Sequence, residues 1–392
     1  IIPPGNVREA QLVPSLHVSA PATLHELVAW LRARELPPAG ARGVTVADLA
    51  ELPDLRDVVG QPAARRALEV AAAGSHALLL IGPPGAGKTM LARCMPGILP
   101  ALDDDEALDV TAIHSVAGLL HETGAVAARP FRAPHHSISV AGLIGGGSSP
   151  RPGEVSLAHH GVLFLDELLE FSRHTLEALR QPLEDGRVVV TRAAATVTYP
   201  ARFALVGATN PCPCGRAGDE PLHQPLLRMV REGTEPARSE GAGCRCADAD
   251  IQRYRNRLSG PLADRIDMHA HVGRVPLDRL ADVTPAESSS VVRQRVEVAR
   301  ARQRERYRTL PNVRANAQAP GRWLGAHGGM TSAARALLTQ AAERMELSAR
   351  GFHRVLRVAR TIADLRDSGR DSVPVDAPDL AEALRYRPAS RG

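Results

Sequence analysis

Apolar residues in this chain follow two rhythms, and the change between them divides it. Short continuous apolar runs at His76–Ile81, Gly161–Leu165 and Phe203–Gly207 alternate with helical stretches, the pattern of parallel strands buried on both faces. Between the second and third runs, Thr175–Glu184 reads as a helix, and Arg187–Thr191 with Thr196–Tyr199 as a β-hairpin. From Pro276 onward the strand pattern stops. Ser288–Tyr307 reads as a long Arg/Glu-rich helix and Pro311–Gly329 as a loop. Helices follow at Thr331–Arg344, Arg350–Asp367 and Ala377–Tyr386. At the other end, Ala22–Arg34 places Leu24, Leu27, Val28 and Leu31 on one helical face, and Glu35–Arg42, with Pro37, Pro38 and Gly40, reads as a linker. The pattern predicts an α/β core over 43–273, patterned from about Asp54, followed by an all-helical unit over 274–392, with 1–42 set apart.

Composition narrows this picture. Aromatic residues make up 3% of the 392 positions while Ala, Val and Leu abound, which favours helices and parallel sheet over a β-sandwich. No apolar window approaches the roughly 18 residues of a membrane span, so the expectation is a cytoplasmic protein without a membrane partner. A net charge of +5 permits a nucleic-acid partner without demanding one. The chain opens on Ile1 rather than Met, and is expected to lack an upstream segment.

All but one of its 48 basic Lys and Arg positions are arginine. The exception, Lys88, lies in Gly82-Pro83-Pro84-Gly85-Ala86-Gly87-Lys88-Thr89, a complete phosphate-binding loop after an apolar run. A compact ammonium on a flexible stem reaches phosphates as a point charge, which a planar guanidinium does less well. Backbone N–H groups of the loop and the helix that begins at Lys88 supply further positive potential, and Thr89 a hydroxyl for Mg²⁺. The run Gly161–Leu165 ends in Asp166-Glu167, so both carboxylates emerge at the carboxyl end of a strand. Asp166 there can hold Mg²⁺ through water, and Glu167 can orient and deprotonate the attacking water. The third run ends at Asn210, whose amide can meet the γ-phosphate or that water. These residues point to hydrolysis of a nucleoside triphosphate.

Longer motifs carry a resemblance. Arg129–Ser137 (RPFRAPHHS), Pro150–Gly161 (PRPGEVSLAHHG), Ala208–Gly215 (ATNPCPCG), Arg253–Asp267 (RYRNRLSGPLADRID) and Ser348–Leu365 resemble the Mg-chelatase-like AAA+ ATPases of the ComM/YifB family. The resemblance covers nearly everything from about residue 45, and residues 1–35 resemble the end of the Lon-protease-like, S5-fold domain that precedes the ATPase there. It implies an AAA+ P-loop sheet flanked by helices, an all-α lid and a remnant of the S5-like domain. It also implies ATP and Mg²⁺ held by Val59, Gly60, Gln61, Gly82, Pro83, Pro84, Gly85, Ala86, Gly87, Lys88, Thr89 and Met90. Arg265 would be the arginine finger inserted into a neighbour's site. Arg350 best matches the sensor-2 position and Arg354, one turn on, is second. The implied activity is that of a ring-forming, hexameric DNA helicase promoting branch migration during integration of transforming DNA. The alternatives are a MoxR-like protein remodeller and the ATPase subunit of a magnesium chelatase. Arg129, Arg132, His135, His136 and Arg151 are candidates either for a threaded DNA strand or for the subunit interface.

Five cysteines complete the reading. Cys94 is expected in the core. Cys212, Cys214, Cys244 and Cys246 form two CxC pairs across a polar, Gly-rich excursion that also contains His223. A Cys₄ zinc site, a redox disulfide and free thiols all fit the spacing, and the resemblance favours zinc.

Overall fold

The computed structural model describes residues 1–11, 13, 16–38, 52–120, 126, 128–147, 150–191, 196–217, 244–275, 286–366 and 373–387. The end of the expected linker and the interior of the cysteine excursion, with His223, lie outside the described residues.

Nine strands are described: β1 Leu78–Ile81, β2 Phe131–Arg132, β3 Gly145–Gly146, β4 Arg151–Pro152, β5 Val162–Leu165, β6 Arg187–Thr191, β7 Thr196–Pro200, β8 Ala204–Thr209 and β9 Met268–His271. Five of them form one parallel sheet in the order β2-β5-β8-β1-β9. Even though these strands are buried on both sides, their residues alternate between two cores. Leu78, Leu80, Val162, Phe164, Val206 and Ala208 face one, and Leu79, Leu163, Leu165 and Leu205 the other. The first core is closed by the helices Pro62–Gly74, Lys88–Ile98 and Ala349–Leu365, and the second by Arg173–Ala178 and the hairpin β6–β7. Register then sets the site. Ile81 lies opposite Thr209 and Leu165 opposite Gly207, so the residues that follow all leave the sheet on its carboxyl edge.

The helical unit is joined to the sheet by buried polar contacts as well as by packing. His76 Nε2 meets Thr361 Oγ1 at 2.7 Å, and Gln303 Nε2 donates to Ala73 O at 3.0 Å. Asp364 receives Arg360, Arg306 and Asn316 together, so its buried charge is fully paired.

Three local readings differ from the sequence pattern. The expected helix Thr175–Glu184 is two helices, Arg173–Ala178 and Arg180–Asp185, because Pro182 has no N–H to give the Ala178 carbonyl. The expected loop Pro311–Gly329 contains the helix Gly321–His327, which buries Leu324 against Tyr307 and Leu356. β9 reads Met-His-Ala-His and carries no branched run, yet its backbone completes the sheet beside β1. Among the described residues, no helix is long and apolar enough to cross a membrane.

Candidate nucleotide site and cysteine cluster

At the carboxyl edge, β1 runs into a loop that needs glycine at two points, Gly85 (φ +76°) and Gly87 (φ +89°), both left-handed. The helix Lys88–Ile98 starts there, so its free N–H groups face the loop. Lys88 is buried, and its Nζ donates to Gly82 O at 2.7 Å, Pro83 O at 2.9 Å and Asn210 Oδ1 at 3.2 Å. Burial pushes the ammonium pKa down, which Asp166 and Glu167 partly oppose. Thr89 Oγ1 donates to Asp166 Oδ2 at 2.9 Å. The hydroxyl and the carboxylate thus stand side by side as oxygen donors of the kind a hard ion such as magnesium takes, Thr89 directly and Asp166 through water. Glu167 has a left-handed backbone (φ +50°), and its N–H is held by Asp166 Oδ1 at 3.0 Å. Gln61 Nε2 donates to Gly273 O and reaches Ala86 O, which ties the Val59–Gln61 turn to the loop, while Val59 and Met90 are partly exposed beside it.

One neighbour of Glu167 was not assigned to this site from sequence. His136 Nδ1 stands 3.4 Å from Glu167 Oε2, its ring against those of His135 and Phe171. Thirty-one positions separate the two residues, and no local spacing signals the contact. The other candidates for strand contact divide. Arg129 is held by the carbonyls of Pro100, Ala101 and His160 and by Glu106, and Arg132 by both oxygens of Glu154, so both guanidiniums are engaged inside the subunit. Arg151 is exposed.

The remaining predicted cations lie elsewhere. A cavity of about 770 Å³ opens beside Ala77, Gly161, Ala204 and Asp267, at the start of β1, β5, β8 and β9 and so at the amino edge. Arg265 lines it. Its guanidinium pairs with Glu184 and donates to Pro261 O at 2.6 Å, rather than pairing with Asp264 or Asp267. Arg350 lines the same cavity and is exposed, whereas Arg354 is buried with its guanidinium 3.8 Å from Asp267 and 3.9 Å from Asp264. Neither Arg265 nor Arg350 shares the edge that carries Lys88. Four-residue strands separate the two edges by about 13 Å.

The sequence profile described as magnesium chelatase, subunit ChlI, matches residues 54–226 and 232–280, and that of its C-terminal part matches 286–387. The chain belongs to the Mg-chelatase-like AAA+ family. Within that family it is 46% identical to an uncharacterised protein of Mycobacterium tuberculosis over 99% of this chain and 72% of that one. It is 39% identical to the competence protein ComM of Haemophilus influenzae over 99% of this chain and 71% of ComM. It is 43% identical to YifB of Escherichia coli, itself uncharacterised, over 86% and 61%. The AAA+ architecture read from the sequence, a parallel sheet followed by a helical unit, is the one observed.

This AAA+ chain carries its other metal-type donors just past Asn210. The sulfurs of Cys212, Cys214, Cys244 and Cys246 all lie within 4.8 Å of one another, with Cys212–Cys214 at 3.4 Å, Cys214–Cys244 at 3.6 Å and Cys212–Cys244 at 3.8 Å. Sulfurs about 2.3 Å from a tetrahedral zinc stand about 3.8 Å apart, so the set fits that ion. A backbone hydrogen bond from Arg216 holds the Cys214 thiol down, to about 6. Cys94 is a core residue, and burial raises its thiol to about 12. A second cluster, Asp109, His159 and His160, is a poorer metal set. His159 Nδ1 accepts the Arg202 N–H at 2.9 Å, which leaves its proton on Nε2, the atom nearest Asp109.

Proposed function

We propose that the protein is a cytoplasmic ATPase that assembles as a ring, a hexamer, and drives DNA strands past one another in DNA uptake and recombination. What supports ATP hydrolysis is the convergence of Lys88, Thr89, Asp166 and Asn210 on one edge of the sheet. In this reading Lys88 and the N–H groups of Gly82–Met90 bind the phosphates, and Val59–Gln61 the adenine side. Thr89 and Asp166 hold Mg²⁺, which when bound neutralises charge on the phosphates. Glu167 takes a proton from the attacking water, and Asn210 orients that water or the γ-phosphate. Residues 43–273 form the ATPase core and 274–392 its lid, and 1–42 is the end of a Lon-like S5-fold domain.

Arg265 lies about a strand's length from its own loop, so it acts on the nucleotide of a second copy, where a guanidinium stabilises charge on the transferred phosphoryl group, and Arg350 is the sensor-2 arginine. That requirement supports the ring. The four cysteines hold zinc. The DNA partner is supported by the similarity to a competence protein along nearly the whole chain. The match to the chelatase profile favours a second reading, the ATPase of a chelatase.

Steady-state ATPase rates with and without single-stranded or forked DNA separate these readings. The expected result is stimulation that fades as salt rises, because phosphate contacts release counterions. An assembled ring that hydrolyses ATP but ignores every DNA would contradict the DNA reading and leave the ATPase standing.

A further inference from the structure

The cysteine cluster and the nucleotide loop share a wall. β8 delivers Thr209, whose carbonyl accepts the Gly82 N–H at 3.1 Å, and then Asn210, whose Oδ1 accepts from Lys88 Nζ. Two residues on is Cys212, fully buried. The chain turns there, closed by the Gly215 N–H on Cys212 O at 3.0 Å. Gly215 (φ +72°) is pressed against the loop. A Cβ at this position would stand 2.6 Å from Pro84 Cδ and 3.7 Å from Asn210 Cγ. The segment 209–215 thus touches the loop through a backbone hydrogen bond, through the lysine and through Pro84, and it carries two of the four sulfurs.

The sulfurs are also prepared for a cation. Cys212 Sγ accepts the Ala217 N–H at 3.2 Å. The far pair, Cys244 and Cys246, reaches the other two sulfurs from the other side of a long excursion, so that all four donors stand within 4.8 Å of one another, spaced to enclose one cation. A bound cation would tie the turn to that far pair through all four sulfurs, a tie lost when the cation leaves.

We infer that zinc in the four-cysteine site controls nucleotide affinity, by holding Asn210 and the Pro84 face of the loop in the positions that Lys88 and the phosphates require. The inference rests on the zinc and ATP readings above and adds their coupling. Coupling between two binding sites is reciprocal, so bound nucleotide also tightens zinc.

The test uses the full chain. Zinc content is measured first, then the binding of a fluorescent, non-hydrolysable ATP analogue at fixed Mg²⁺. Binding is compared in the purified protein, after stripping with a zinc-selective chelator, and after zinc is returned. One zinc per chain is expected, with affinity falling about tenfold on stripping and recovering on reloading, within the range of ordinary allosteric coupling. Stripping could also unfold the chain, so Gly215→Ala supplies an independent arm. It keeps all four sulfurs and is expected to keep zinc, yet its Cβ displaces Pro84 and weakens the analogue to a similar degree. A chain that binds no zinc overturns the metal reading. Zinc-loaded protein that never binds the analogue overturns the ATP reading. A chain that holds zinc and binds the analogue equally well loaded and stripped overturns the coupling alone, and a Gly215→Ala form that keeps zinc and binds as the unmodified chain does overturns its route through Pro84.

Discussion

At the carboxyl edge of the sheet the charged groups are few and each has a specified neighbour. One ammonium is gripped by three oxygens, one hydroxyl by one carboxylate, and one glutamate is approached by one imidazole. At the amino edge charge is plentiful. Arg129, Arg265, Arg350 and Arg354 all line one cavity, alongside Glu106, Glu184, Asp264 and Asp267. Within one subunit the first edge gathers a lysine, a hydroxyl, two carboxylates and an amide. The second is an open, guanidinium-rich surface in which some arginines are engaged inside the subunit and Arg350 is exposed. Sequence motifs encode the first arrangement locally, since each part follows a strand end. The second is assembled by topology from residues spread between 106 and 354, so only its folded form shows which arginines keep company.

Substitutions on each edge sharpen the contrast. The largest effect is expected from Lys88→Ala, which removes the only ammonium side chain and should abolish nucleotide binding in an equilibrium titration. Glu167→Gln should still bind ATP while turnover falls by about 10³-fold or more, as expected when the group that activates water is lost. Normal hydrolysis by that variant would show that Glu167 has a different role. At the amino edge Arg129→Met should act on stability rather than catalysis. Losing charged hydrogen bonds to three carbonyls and Glu106 should cost about 2–3 kcal/mol in chemical denaturation, with ATPase per folded molecule unchanged. A selective loss of DNA stimulation in that variant would instead return Arg129 to the strand-contacting group.

How much of this was legible follows the same division. The loop at Gly82–Thr89, the acids after β5 and the amide after β8 were readable because each is a polar stop at the end of an apolar run. The long lid helices were readable from their length and periodicity. β9 was not, because four residues with two histidines carry no strand pattern until β1 lies beside them. The helix Gly321–His327 was hidden by Gly321, Gly325 and Gly328, which favour loops in isolation, and by its dependence on a tertiary contact at Leu324. The internal engagement of Arg129 and Arg132, the meeting of His136 with Glu167, and the pressure of Gly215 on Pro84 all join residues distant in sequence, where spacing carries no information.

On the proposed reading, the two edges complete one another across neighbouring copies. It is tested most directly by mixing two inactive variants, Lys88→Ala with its amino edge intact and Arg265→Ala with its carboxyl edge intact. In random co-assembly about a quarter of the head-to-tail interfaces unite an intact loop with an intact arginine. ATPase activity should therefore rise from near zero in each variant alone to a clear fraction of the unmodified rate in the mixture. A mixture that demonstrably co-assembles and remains as inactive as its components would show that Arg265 does not act on a neighbour's nucleotide.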